Sequence, residues 1–146
     1  MLTTDAVLDD IRAHGADAYP EEGCGFLLGQ PTAAGNHVVR ILPVTNRRTE
    51  QRERRYEITA EDYRDAAAVA DAAGLDVVGF YHSHPDHPAR PSTTDLDEAT
   101  FPGYTYVIVS VQDGTPGDLT AWTLAPNRSR FEEESIADPS AAETIA

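Results

Sequence analysis

The run Phe80-Tyr81-His82-Ser83-His84-Pro85 leads into Pro91-Ser92-Thr93-Thr94-Asp95, and three of its side chains are of types that bind metals. In an extended strand, residues two apart face the same side. His82 and His84 therefore point together, as sharing one ion requires. Pro85 withholds a backbone N–H and ends such a strand. Ser92 suits a helix N-cap, which puts Asp95 one turn into the following helix. The proline-bounded loop between 85 and 91 returns that helix end to the strand end. Two imidazoles and one carboxylate make a three-ligand zinc set whose fourth position stays open for water, as in catalytic rather than structural sites. Imidazole and carboxylate also accept iron or manganese.

Such a water needs a base, which the two-histidine strand does not supply. Glu22 stands just before the apolar run from Gly25 to Gly29. An acid beside a buried strand is partly desolvated, which raises its pKa toward a useful value. Its neighbour Glu21 reads as exposed. Asp97 and Glu98 read as first-turn acids that favour the helix dipole.

Two other metal patterns share these letters. His82-Ser-His84-Pro-Asp86-His87 also spells the H-x-H-x-D-H of metallo-β-lactamase-like hydrolases. That fold needs further downstream histidines, and the remaining ones here are His14 and His37. Asp86 and His87 therefore read as loop residues near the site, with His87 in solvent. A zinc deaminase needs a Cys-x-x-Cys pair, which a single cysteine excludes. That residue, Cys24, can form no intrachain disulfide. It reads as a small buried hydrophobe rather than a redox switch.

The elements that must position these groups follow from periodicity and turn chemistry. Val7, Leu8, Ile11 and His14 sit at helical spacing after Thr3 or Thr4 as N-cap, with Gly15 as the stop. Residues 25–29 and 37–44 read as a hairpin, 45–55 as a polar loop, and 56–58 as a short strand. Thr59 caps an alanine-rich helix over 60–73, with Asp62 as a weak capping-box partner and Gly74 as the stop. The apolar 76–82 reads as a strand near the sheet centre. A helix from Ser92, strands over 104–112 and 118–124, and an edge strand near 129–131 complete the order. The expectation is an α/β domain over 1–131, its mixed, mostly antiparallel sheet flanked by helices. An acidic, frayed tail is expected over 132–146.

Composition bounds the function classes. The chain has 146 residues, 40% of them hydrophobic, and a formal net charge of −14, which suits one ordinary globular domain. Its basic residues are all arginine. Such acidity argues against nucleic-acid binding, which rests on phosphate neutralisation, and reads as a solubilising surface. No apolar run approaches the ~20 residues that span a bilayer, and the N-terminus lacks a secretory pattern. The expected place is the cytoplasm, with no membrane partner. Arginines 47, 48, 52, 54 and 55 form a basic island. It reads as a solvated loop, or more sharply as a docking surface for an acidic partner. Tyr56 and Trp122 read equally as channel lining or as core aromatics.

Glu22, then His82-Ser-His84, seven residues, Ser92, two residues and Asp95 resemble the JAMM motif of the MPN+ metalloproteases. The likeness extends through residues 20–25, Asn46, residues 56–58 and residues 77–81, and covers roughly 4–125. It implies an MPN-type fold with a partly barrel-like sheet. It also implies one Zn2+ on His82, His84 and Asp95, with Glu22 as general base and Ser92 as donor to the developing oxyanion. The implied reaction is hydrolysis of a peptide or isopeptide bond. Compactness makes the chain similar to the small prokaryotic members, which act on ubiquitin-like sulfur-carrier proteins with a Gly-Gly tail. The resemblance admits a homodimer. The alternative within the family is a non-catalytic MPN scaffold that keeps a structural metal.

Overall fold

The structure, a computed structural model, describes residues 1–53 and 55–140. Along the chain lie α1 (Asp5–Ala18), β1 (Cys24–Thr32), β2 (Gly35–Val44), α2 (Ala60–Ala72) and β3 (Asp76–Pro85). There follow α3 (Thr93–Glu98), β4 (Thr105–Gln112), β5 (Thr115–Leu124) and β6 (Phe131–Glu134). One sheet holds the strands in the order β2-β1-β3-β4-β5-β6. The β3–β4 pair is parallel and the other four neighbouring pairs are antiparallel. The loop and α3 supply the crossover that the parallel pair needs. The central strand β3 is buried at every residue after its first, because it has neighbours on both edges and layers on both faces.

Residues directly opposite each other share a face. The register pairs Cys24 with His82 and Phe26 with Phe80. It also pairs Phe80 with Tyr106, His82 with Ile108 and His84 with Ser110. On that face Phe26, Phe80 and Tyr106 pack with Ala66 and Ala70 of α2. On the other face Leu27, Tyr81, Val107 and Val109 pack with Val7 and Ile11 of α1. Each fully buried Leu, Ile or Val contributes roughly 1.5–3 kcal/mol.

Local signals explain most helix ends. Thr4 caps α1 by accepting from the Val7 N–H. Gly15 does not stop this helix, which runs on to Ala18. A Cβ at Gly15 would lie 3.2 Å from the side chains of Ser83, Val109 and Val111. The glycine therefore serves close approach of helix to sheet, not termination. Thr59 and Asp62 form a complete capping box for α2, and Gly74 ends the turn at φ +72°. Residues 56–58 form no strand. Their backbone belongs to the loop crossing the site face.

Two expectations about the ends of the sheet need correction. The residues after Glu132 are not frayed as far as they are described. Phe131–Glu134 pairs with β5, and Ala137 exchanges backbone hydrogen bonds with Met1 and Thr3. Residues 141–146 of the expected tail lie outside the described ones. Nor is the sheet closed into a barrel. Its two edges approach each other through the first three residues, where Leu2 makes single bridges to His37 and Ala137 and Met1 and Thr3 add hydrogen bonds. Helix α1 covers one face of this open sheet, with Ile11 fully buried against it. Among the described residues no helix is long and apolar enough to cross a membrane.

Candidate metal centre

Strand geometry brings the chemistry together. His82 and His84 lie on the α2 face of β3, 2% and 6% exposed. Their Nε2 atoms are 3.0 Å apart. Asp95 reaches them from α3, with Oδ1 3.2 Å from His82 Nε2 and Oδ2 3.1 Å from His84 Nε2. Three ligand atoms on a tetrahedron with bonds near 2.0 Å stand about 3.3 Å apart. The observed spacings match that edge. Three lone-pair donors at such range repel unless a proton or a cation lies between them.

Each ligand is held by a second contact. His84 Nδ1 lies 2.9 Å from the Pro88 carbonyl. Donation there leaves the Nε2 lone pair facing the cluster. The ring of Tyr56 stacks on His82, centroids 4.6 Å apart. Asp95 is also the third residue of α3. Its Oδ2 accepts from the Ser92 N–H at 2.8 Å, and its own N–H donates to Ser92 Oγ at 3.0 Å. The helix cap therefore orients the ligand carboxylate. Burial alone would raise the Asp95 pKa, but charge and hydrogen bonds from the histidines, with the Ser92 N–H, hold it far below the usual carboxylate range.

Glu22 continues the β1 register. Gly23 faces Ser83, donating its N–H to Ser83 Oγ at 2.8 Å and accepting from the Ser83 N–H at 2.9 Å. One step further puts Glu22 across from His84 and on the same face. Its side chain is buried, and Oε1 has no hydrogen-bond partner. Burial raises its pKa to about 7, with His82 and His84 opposing. Glu21, half exposed, meets Arg52 instead. The Asn46 amide fastens this segment to the loop, donating to the carbonyls of Glu22 and Arg55.

The loop after β3 is anchored by side chains from three strands. Ser110 Oγ donates to the His87 carbonyl at 2.7 Å, His84 meets Pro88, and Thr120 Oγ1 donates to the Ala89 carbonyl at 2.6 Å. Sequence reading credited the prolines alone and missed these anchors, as it missed Ser83. Ser83 and Ser110 stand as polar residues inside otherwise buried strands, which is the signal available in the sequence. Asp86 takes no part in the cluster; it accepts from the Tyr19 hydroxyl and the Asp113 N–H. His87 is exposed but lines the cleft of about 450 Å³ that also holds Glu22, His84 and Ser92. Burial pushes the Cys24 thiol up to about 12, so it carries no thiolate for redox chemistry.

The basic island is largely spent on internal pairs. Arg47 meets Asp62 at 3.0 Å, Arg52 meets Glu21 at 3.5 Å and Arg55 meets Glu98 at 3.0 Å. Arg54 lies outside the described residues. Trp122 donates to Thr120 two residues earlier on β5, steadying that loop anchor from the same strand.

Residues 4–125 match the family described as prokaryotic homologs of the JAB domain. The desampylase of Haloferax volcanii is 38% identical over 135 residues, covering 91% of this chain and 89% of that protein. The CysO-cysteine peptidase of Mycobacterium tuberculosis is 33% identical over 127 residues, covering 86% and 84%. A protein of Salinibacter ruber with a known solution structure is 68% identical, with a TM-score of 0.78 over 95% of this chain and 92% of that one.

Proposed function

The chain belongs to the prokaryotic JAB-domain family of JAMM-type metallopeptidases, and from that premise we propose a substrate and a role for each site residue. The protein is a zinc-dependent peptidase that cleaves at the C-terminal tail of a ubiquitin-like sulfur-carrier protein; its relatives include a CysO-cysteine peptidase and a probable TtuB-protein conjugate cleaving protease. One observation carries the reading. His82, His84 and Asp95 converge, with one ligand atom from each all within 4.8 Å of one another, on a cleft whose buried acid, Glu22, has an unpartnered oxygen.

His82, His84 and Asp95 would hold the zinc, which supplies a Lewis acid for the scissile carbonyl and for water. Glu22 takes a proton from the attacking water at Oε1 and returns it to the leaving nitrogen. Burial raises the pKa of this carboxyl, the direction that makes it a better base toward water, while a bound cation favours its ionised form. Ser92 Oγ uses a lone pair for the helix cap, so its O–H remains free to donate to the developing oxyanion. Capping and catalysis therefore do not compete for the hydroxyl. A scaffold with a structural metal has no use for a buried, unpartnered carboxyl.

The test is metal content and turnover together. Purified protein should carry about one zinc per chain and shorten a carrier protein extended past its Gly-Gly end, as read by intact mass. Glu22→Gln should keep the zinc and lose the turnover. A zinc-loaded protein inactive on every carrier encoded in its own genome would overturn the reading.

A further inference from the structure

Two arginines line the same cleft as Glu22, His84 and Ser92. Arg55 is fixed by Glu98 through one Nη atom, while its Nε is buried and has no hydrogen-bond partner. Arg90, on the anchored loop, is exposed, and no described residue pairs with its guanidinium. Glu22 is the one acid among the described residues lining the cleft. In a chain of net charge −14, the exposed Arg90 guanidinium lines the reacting cleft without a described protein partner, whereas Arg55 is already paired with Glu98, so Arg90 is the cation an incoming anion can reach. Guanidinium matches carboxylate geometry better than any other side chain.

The acyl side of a Gly-Gly tail offers no such group near the scissile bond. On the leaving side the choice is sharp. When the leaving group is a C-terminal amino acid, its α-carboxylate sits one carbon from the scissile nitrogen. When it is a lysine side chain, methylenes occupy that place. We propose that Arg90 acts as a carboxylate clamp on the leaving side of the cleft, with Arg55 held in the wall beside it by Glu98. The preferred substrate is then a carrier extended by one residue with a free C-terminus, and isopeptide conjugates are cleaved less well. This inference rests on the peptidase reading above.

The experiment compares two forms of one zinc-loaded assay. A ubiquitin-like carrier extended past Gly-Gly by a single alanine is supplied as the free acid and as the carboxamide. The wild-type protein should favour the acid by at least about tenfold in kcat/KM, and the preference should shrink as salt is raised. Arg90→Ala, an exposed change that leaves the fold intact, should bring the ratio near one, and Arg90→Lys should restore it only in part. Binding gives a second readout. The Glu22→Gln protein should bind the acid about tenfold more tightly than the amide by calorimetry. Equal handling of both forms by the wild-type protein overturns the clamp and leaves the peptidase reading standing. A preference that survives Arg90→Ala also overturns it. Turnover of neither form overturns both.

Discussion

Glu22 couples function to stability at a single side chain. Its carboxyl is raised from an ordinary 4.5 to about 7 by burial. The folded metal-free protein therefore binds more protons than the unfolded chain between those values. The contribution of Glu22 to stability is fully present below pH 4.5 and is lost as pH rises through about 7. Glu22→Gln removes that cost, so the metal-free variant should be more stable than wild type at pH 8, by at most about 3 kcal/mol. Denaturant melts at pH 4 and pH 8 check this, and an equal difference at both would contradict it. Bound zinc favours the carboxylate, so the acid limb of kcat/KM should fall below the pH at which Glu22 titrates in the metal-free protein. Ser92 separates two contributions. Ser92→Ala should lose about 1 kcal/mol of stability with the cap and roughly a hundredfold in kcat with the oxyanion donor. Ser92→Asp should keep the cap, because Asp is a good N-cap, yet remain slow. Recovery of rate by Ser92→Asp would contradict the donor role.

Among the elements, β3 carries both ligand histidines on one face and Ser83 on the other. That serine binds Gly23, sixty residues earlier, and sets Glu22 opposite His84. Ser83→Ala leaves the buried Gly23 N–H unpaired, which should cost about 1–3 kcal/mol and lower kcat with little change in zinc affinity. Thermal melts and metal titration distinguish this from a ligand defect. Helix α3 has only six residues, and its cap carboxylate is also the proposed third metal ligand. Removing zinc with a chelator should therefore speed amide exchange over 93–98 while α2 stays protected. Uniform protection in both states would contradict that coupling. The clustering of His82, His84 and Asp95 was legible in the sequence because they lie close together and strand and helix periods fix their directions. The loop anchors, the Gly23–Ser83 link and the stacking of Tyr56 on His82 were not. Their partners lie far apart in the chain, and no local pattern records who meets whom. Gly15 shows the same limit, since its reason lies across the interface on β3 and β4.

At the scale of the molecule, alternation predicted strands and caps predicted helices, but neither records whether a sheet closes. Helix α1 lies on one face and the site layer on the other of an open six-stranded sheet. The same scale governs charge. A net −14 repels itself, and the arginines at 47, 52 and 55 offset this only locally. Raising salt from about 0.05 M to about 1 M shortens the screening length to about 3 Å. It should raise the melting temperature of the metal-free protein. A fall would mean that the ion pairs outweigh the repulsion.

The loop from Pro85 to Pro91 is tied down at three successive carbonyls before any ligand arrives. It has little freedom left to surrender, so the entropy lost on association comes from the incoming chain. Stiffening a tail mimic by cyclisation should then tighten inhibition, whereas rigidifying the enzyme further should add nothing.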